Sequence, residues 1–175
     1  GKGGVGKSNI TLNLAIELQR LGKLCLVLDA DMGLANIHLL AGVSPKYDLR
    51  DLLLGKACMS DLIAPGPEGI GVIAGGSGVL AMADSKYEDR REIISSLAEV
   101  EEEADIILVD TGAGLGSGVR DFLVSADEVL FVLTPDITSL TDAYGLLKVM
   151  QQEDMPPRPL YSVVNMVHTL KQAAE

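Results

Sequence analysis

The first eight residues, GKGGVGKS, have the types and spacing needed to bind a phosphate group. They match the pattern GxxxxGK[ST], in which glycines let consecutive backbone amides curve around phosphate oxygens at a helix N-terminus. Lys7 would then meet the β- and γ-phosphates of a nucleotide, and the hydroxyl of Ser8 would bind Mg²⁺. The residues predicted to form this nucleotide site are Gly3, Gly4, Val5, Gly6, Lys7 and Ser8.

Carboxylates follow two apolar runs that are typical of buried strands. Asp110 comes directly after IleIleLeuVal, and Asp29 ends the run LysLeuCysLeuValLeuAsp, with Asp31 two residues further on. The carboxyl ends of parallel strands meet at one edge of a sheet, where ligands bind. A carboxylate there would hold the water shell of the metal, so Asp110 is a predicted Mg²⁺ residue together with Ser8.

A second motif overlaps the first one. Gly1, Gly3 and Gly6 also spell GxGxxG, and Asp29 lies about where a dinucleotide-binding fold places its ribose-binding acid. The GlyLysSer that ends the octapeptide and the second acid-terminated strand at Asp110 have no role in a dinucleotide site, whereas both have defined roles in an ATPase. The pattern therefore favours ATP and Mg²⁺ as ligands.

Apolar periodicity predicts the elements that position these residues. Continuous apolar runs predict buried parallel strands, and stretches with one apolar face predict helices between them. The strands are expected at Lys23–Asp29, Gly71–Ala74, Asp105–Asp110, Glu128–Leu133 and Leu160–Val164. The helices are expected at Asn9–Leu21, Tyr87–Glu103 and Leu140–Gln152. This alternation predicts an α/β fold: a doubly wound, mostly parallel sheet with helices on both faces.

Composition limits the class of protein. The 175 residues predict a single domain, residues 1–175, and no apolar run approaches the length of a membrane span. The formal charge of −11 disfavours nucleic acid as a partner. Cys25 and Cys58 form no CxxC or Cys/His cluster, so neither a disulfide framework nor a cysteine metal site is expected. Because a phosphate loop normally follows a buried strand, we expect a fragment of a longer chain that lacks this first strand.

A second lysine, Lys2, lies inside the loop, and the subunit's own phosphate cradle does not require it. With this lysine, the sequence resembles the MinD/ParA family of ATPases, whose P-loop is a deviant form of the Walker A motif. The resemblance extends to DADMGLANIHLLAG (Asp29–Gly42), which is similar to the family's switch I, and to DTGAGLG (Asp110–Gly116), which is similar to its switch II. It implies that Lys2 reaches across an ATP-bound dimer to the phosphates of the partner.

The resemblance also implies roles for three further residues. Asp31 is similar to the family's aspartate that positions the attacking water, and Asp29 belongs to the hydrogen-bonded network near Mg²⁺, which the aspartates contact through water. Asn165, after the last predicted strand, is similar to the asparagine that contacts adenine. Thr134 and Pro135, which end the preceding strand, are expected to border the base.

Within that family, the runs YDLRDLLLG and LTPDITSLTDAYGLLKV most resemble flagellar-number regulators of the FlhG/FleN type. The resemblance implies a slow, regulatory, cytoplasmic ATPase that dimerises with Mg-ATP. It also implies a signal-recognition-type GTPase and transcriptional regulators as partners, and recruitment to the inner face of the membrane by a segment outside this chain. The alternatives are a MinD-type septum-site ATPase, a ParA-type partition ATPase and a metabolic enzyme of the cobyrinic acid amide synthetase type.

Overall fold

The computed structural model describes residues 3–31, 35–76, 87–114, 116–152 and 157–169. Contacts divide the chain into two compact units, Ser8–Gly112 and a second unit of Gly1–Lys7 with Ala113–Glu175. The α-helices are α1 Lys7–Arg20, α2 Ile37–Leu40, α3 Leu49–Leu53, α4 Tyr87–Ser96, α5 Ser117–Ser125 and α6 Ile137–Gln152. The strands are β1 Cys25–Ala30, β2 Ala64–Pro65, β3 Gly71–Ile73, β4 Ile106–Thr111, β5 Val129–Leu133 and β6 Leu160–Val164. Short 3₁₀ turns lie at Met59–Leu62, Pro67–Gly69, Leu97–Glu99 and Glu101–Glu103.

The unit Ser8–Gly112 is built on a four-stranded sheet with the order β2-β3-β1-β4. β1 is parallel to both of its neighbours, whereas the short β2 pairs antiparallel with β3 at the edge. The chain passes from β1 to β3 on one side and then to β4 on the other side of β1. The order of the strands therefore reverses at β1, and such a reversal leaves a crevice at the carboxyl ends of the strands.

The core of this unit forms where α1 packs on the sheet. Leu12 and Ala15 of α1 contact Cys25 and Val27, which point to the same face of β1 because side chains alternate along a strand. Leu26 and Leu28 on the opposite face are also buried. β1 is therefore covered on both sides, as its continuous apolar run predicted.

The second unit contains the parallel pair β5 and β6. Residues on one face of β5 pack against α5 and against the apolar stripe of α6, whose members recur at helical spacing. This core consists of Val119, Leu123, Val129, Phe131, Leu133, Ala143, Leu146 and Met150. Among the described helices of both units, none combines the length and the apolar character that crossing a bilayer requires.

Several predicted boundaries are corrected by the structure. α4 ends at Ser96 rather than Glu103, because the chain continues in two short 3₁₀ turns that bury Val100. α6 begins at Ile137 rather than Leu140, and α1 at Lys7 rather than Asn9.

Leu160–Val164 forms a strand as predicted, but the prediction that this strand is buried is wrong. All five residues of β6 are exposed, since within its unit β6 pairs with β5 along one edge only.

Candidate functional site

The phosphate-binding motif forms a loop that leads directly into α1. Val5 anchors the loop in the interior with 2 % of its surface exposed, and Ser8 is the second residue of the helix. Gly4 and Gly6 have φ angles of +77° and +91°, which side-chain-bearing residues rarely adopt. Such a loop can point successive amides toward one anion at the positive end of the helix dipole. Lys2 lies outside the described residues.

A cleft of about 370 Å³ opens beside this loop, within the second unit. Thr134 and Pro135, which were expected to border a base, lie in its wall. Its volume falls within the range of small-molecule sites, roughly 300–1,000 Å³. The residues that line it are Gly3, Gly4, Val5, Thr134, Pro135, Asp136, Met166 and His168.

Asp136 organises the wall of this cleft. Its Oδ1 accepts a hydrogen bond of 3.0 Å from the backbone N–H of Ser139, which caps the N-terminus of α6. The hydroxyls of Thr134 and Thr138 donate to the same carboxylate. Ser139 is fully buried, and its Oγ accepts a 3.0 Å hydrogen bond from the backbone N–H of Thr134. These bonds fix the backbone where β5 turns into α6.

In the unit Ser8–Gly112, Asp29 and Asp110 lie side by side at the carboxyl ends of β1 and β4. They are register partners in the parallel pair and are 1 % and 3 % exposed. Oδ2 of Asp29 accepts a 2.9 Å hydrogen bond from the N–H of Ile37, and Oδ1 accepts a 3.2 Å bond from the N–H of Asp31. Asp29 thus holds the start of α2 and orients the backbone at Asp31.

The pKa of Asp29 is raised to about 6: burial is the largest cause, the charge of Asp110 adds to it, and the backbone N–H bonds act in the opposite direction. A cation at this edge would relieve the repulsion between the two carboxylates. The half-buried Asp31 belongs to the same edge, because its Oδ1 lies 3.4 Å from where a Cβ of Gly112 would be. The structure therefore brings together Asp29, Asp31 and Asp110, as their positions after predicted strands indicated.

The donor set of this edge fits Mg²⁺ bound together with a nucleotide. Mg²⁺ keeps several waters and is usually bound through one or two carboxylates plus substrate phosphates. Within the described part of the chain, no group of three or more His, Cys, Asp or Glu side chains could hold a metal ion by itself. Asp29 and Asp110 are therefore carboxylates that would hold a Mg²⁺ ion through its water ligands.

The raised pKa of Asp29 makes the folding stability depend on pH. Between the unfolded pKa of 3.8 and the folded pKa of about 6, Asp29 keeps its proton in the folded protein but loses it in the unfolded chain. Folding is therefore most favoured below the unfolded pKa, and this stability is lost as the pH rises to about 6. The expected loss between pH 4 and pH 7 is about 2 kcal/mol. Asp29→Asn should flatten this part of the pH profile of the unfolding free energy, measured in urea without Mg²⁺. Asp127→Asn, at an exposed carboxylate, is the control, and an unchanged profile in Asp29→Asn would contradict this account.

Three residues of the cleft had no functional role in the sequence analysis. Asp136 had a local signal, since an acid directly before an apolar helical stretch is typical of an N-cap. His168 is exposed and lines the cleft, and no motif in the sequence includes it. Met166 has a positive φ of 57°, which only the structure reveals.

Comparison with known proteins shows the relatives of this chain. A protein-family profile described as "AAA domain" matches residues 1–155. The chain is 37% identical to the antiactivator FleN of Pseudomonas aeruginosa over 97% of its own length and 60% of that protein. It is 38% identical to the flagellum site-determining protein YlxH of Helicobacter pylori over 98% of its length and 58% of that protein. The chain thus spans about 60% of the length of these curated relatives.

Among solved structures, the septum site-determining protein MinD of Pyrococcus horikoshii, complexed with Mg-ADP, matches 98% of this chain and 70% of its own. The TM-score is 0.83 and the sequence identity is 27%. The likeness confirms the predicted fold class, a mostly parallel α/β fold of the P-loop type.

Proposed function

Because the chain belongs to the AAA-domain family and is a P-loop ATPase of the MinD/ParA type, we propose that it binds Mg-ATP and hydrolyses it slowly as a molecular switch. ATP would drive dimerisation, and hydrolysis would reset the monomer. Phosphoryl transfer depends on positioning and charge neutralisation more than on covalent chemistry, so lysines, carboxylates and a metal ion are a sufficient set.

One observation carries the proposal: the cleft beside the phosphate loop. Its wall joins Gly3, Gly4 and Val5 of the loop to Thr134 and Pro135. The glycine loop and a cleft of small-molecule volume thus lie together within one compact unit, which supports a nucleotide site there. A glycine-rich turn with only a structural role would not need such a cleft.

Each proposed residue has a defined task. The loop amides and Lys7 would bind the phosphates, and Mg²⁺ bound with Ser8, Asp29 and Asp110 would neutralise the developing charge. Asp31 would orient the attacking water. Lys2 would act across the dimer on the partner's phosphates, and Asn165 would contact adenine.

The biological role that we propose is regulation of flagellar number and placement. The flagellar relatives FleN and YlxH, at 37% and 38% identity, support this role over septum placement, since septum site-determining MinD relatives are 30–32% identical. The partners would be a second copy of the chain, a signal-recognition-type GTPase and transcriptional regulators. The protein would act in the cytoplasm and at the inner face of the membrane, and its charge of −11 disfavours DNA as a partner.

Light scattering with Mg-ATP tests the switch. We expect Asp31→Ala to be a dimer with ATP and a monomer with ADP or without nucleotide, because impaired hydrolysis leaves the ATP state populated. Adding Lys2→Ala should return this variant to a monomer that still binds ATP. Adding Lys23→Ala, at an exposed lysine after α1, is the matched control and should leave the dimer intact. A monomer under every condition, with ATP bound, would refute the dimer switch and leave a metabolic P-loop enzyme as the better explanation.

A further inference from the structure

The side chain of Asn165 reaches the phosphate loop from the end of β6. Its backbone N–H donates a 2.7 Å hydrogen bond to the carbonyl of Leu133 at the end of β5, which fixes the position of the residue. Its Nδ2 donates a 2.8 Å hydrogen bond to the carbonyl oxygen of Val5. Because that partner is an acceptor, the amide nitrogen must face the loop, and Oδ1 faces elsewhere.

The same amide packs closely against Gly6. A Cβ atom at Gly6 would lie 2.5 Å from Asn165 Nδ2, a distance that real Cβ atoms essentially never show. Position 6 therefore requires glycine for two reasons: its φ angle is +91°, and the side chain of Asn165 approaches it closely. The carbonyl of Val5 and the N–H of Gly6 belong to one peptide group, so Asn165 contacts that group from its carbonyl side.

Fixing that carbonyl also fixes the direction of an amide. In a planar trans peptide, C=O and N–H point in opposite directions. A hydrogen bond that holds the Val5 carbonyl toward Asn165 turns the Gly6 N–H away from it. Backbone N–H groups are the phosphate ligands of such a loop. If they are aligned before the ligand binds, less conformational entropy of the loop is lost on binding.

We propose that Asn165 is a positioning residue for the phosphate loop, which holds the Val5–Gly6 peptide in the orientation that binds a triphosphate. This role rests on the proposed function and adds to the expected contact with adenine. Oδ1, which is an acceptor, would meet an amino group of the base. One side chain would thereby connect recognition of the base with the geometry of the loop.

A ligand without a base separates the two roles of Asn165. We would measure binding of ATP and of inorganic tripolyphosphate, each with Mg²⁺, to the wild type, Asn165→Ala and Asn165→Asp. Loss of one hydrogen bond that aligns the loop should weaken tripolyphosphate binding to Asn165→Ala about tenfold. Asn165→Asp keeps the size of the side chain but places an oxygen against the Val5 carbonyl, so it should lose at least as much.

Asn13→Ala is the matched control, because Asn13 also donates its Nδ2 to a backbone carbonyl, that of Asn9, at 2.7 Å. Asn13 is exposed on α1, so both affinities should stay at the wild-type value. Hydrogen exchange of the Gly6 amide with Mg²⁺ and tripolyphosphate bound gives a second readout. It should be faster in Asn165→Asp than in the wild type, because the N–H is then held less well on the phosphate.

Weaker ATP binding with unchanged tripolyphosphate binding would overturn the inference and leave Asn165 as a base contact only. A wild type that binds ATP but not tripolyphosphate would also count against it. A wild type that binds neither ligand would instead refute the proposed function.

Discussion

Lys7→Ala is expected to abolish measurable ATP binding. The lysine follows the glycine loop at the start of α1, where its ammonium group would meet the β- and γ-phosphates. Hydrogen bonds to charged groups contribute about 1.5–3 kcal/mol each to the binding free energy. Loss of a full positive charge beside a triphosphate weakens binding further. The affinity for Mg-ATP should therefore fall at least about 100-fold. Titration calorimetry or a fluorescent nucleotide analogue would measure the change.

Lys23→Ala controls for the loss of one positive charge from an acidic protein. Lys23 is exposed between α1 and β1, so its removal should leave the affinity within about twofold. Thermal unfolding of both variants would show whether the fold is retained. ATP binding by a folded Lys7→Ala variant at wild-type affinity would refute the assignment of the phosphate loop.

The acidic edge of the first unit could be predicted because its signal is local. An apolar run followed by an acid indicates a buried strand whose carboxyl end meets a site, and Asp29 and Asp110 are indeed register partners at that edge. The two short helices that follow β1, α2 and α3, could not be predicted from an apolar run of this kind. α2 is held by the side chain of Asp29, and α3 is capped by Asp48 in a capping box with Asp51. A helix of four or five residues takes its stability from contacts of this kind rather than from periodicity.

The cleft could be predicted only in part. Thr134 and Pro135 end a recognisable strand, but the contact of Asn165 with Val5 joins residues that are 160 positions apart. Composition and spacing carry no information about which carbonyl such an amide meets. The exposure of β6 could not be predicted for the same reason. An apolar strand is buried only where other elements cover it, and the sequence of Leu160–Val164 does not indicate which elements those are.

Asp31→Ala is expected to remove hydrolysis while ATP binding is kept. Asp31 is oriented by its own N–H, which donates to Asp29, and by its close approach to Gly112. A carboxylate that places or activates the attacking water typically contributes about 10²–10⁴-fold to the rate. Phosphate release in a single turnover should slow by that factor, and the affinity for Mg-ATP should change only a few-fold because Asp31 would contact water rather than phosphate.

Two further variants separate the charge of Asp31 from its shape and position. Asp31→Asn keeps the size of the side chain but removes the negative charge, so it should be nearly as slow as Asp31→Ala if the carboxylate acts on the water. Asp127→Ala, at an exposed acid in the second unit, should hydrolyse ATP at the wild-type rate. Hydrolysis at the wild-type rate in Asp31→Ala would assign the water-positioning role to another residue, and the ATP-bound dimer expected of that variant would then not accumulate. The rate measurement and the light-scattering measurement therefore test the same carboxylate by independent observables.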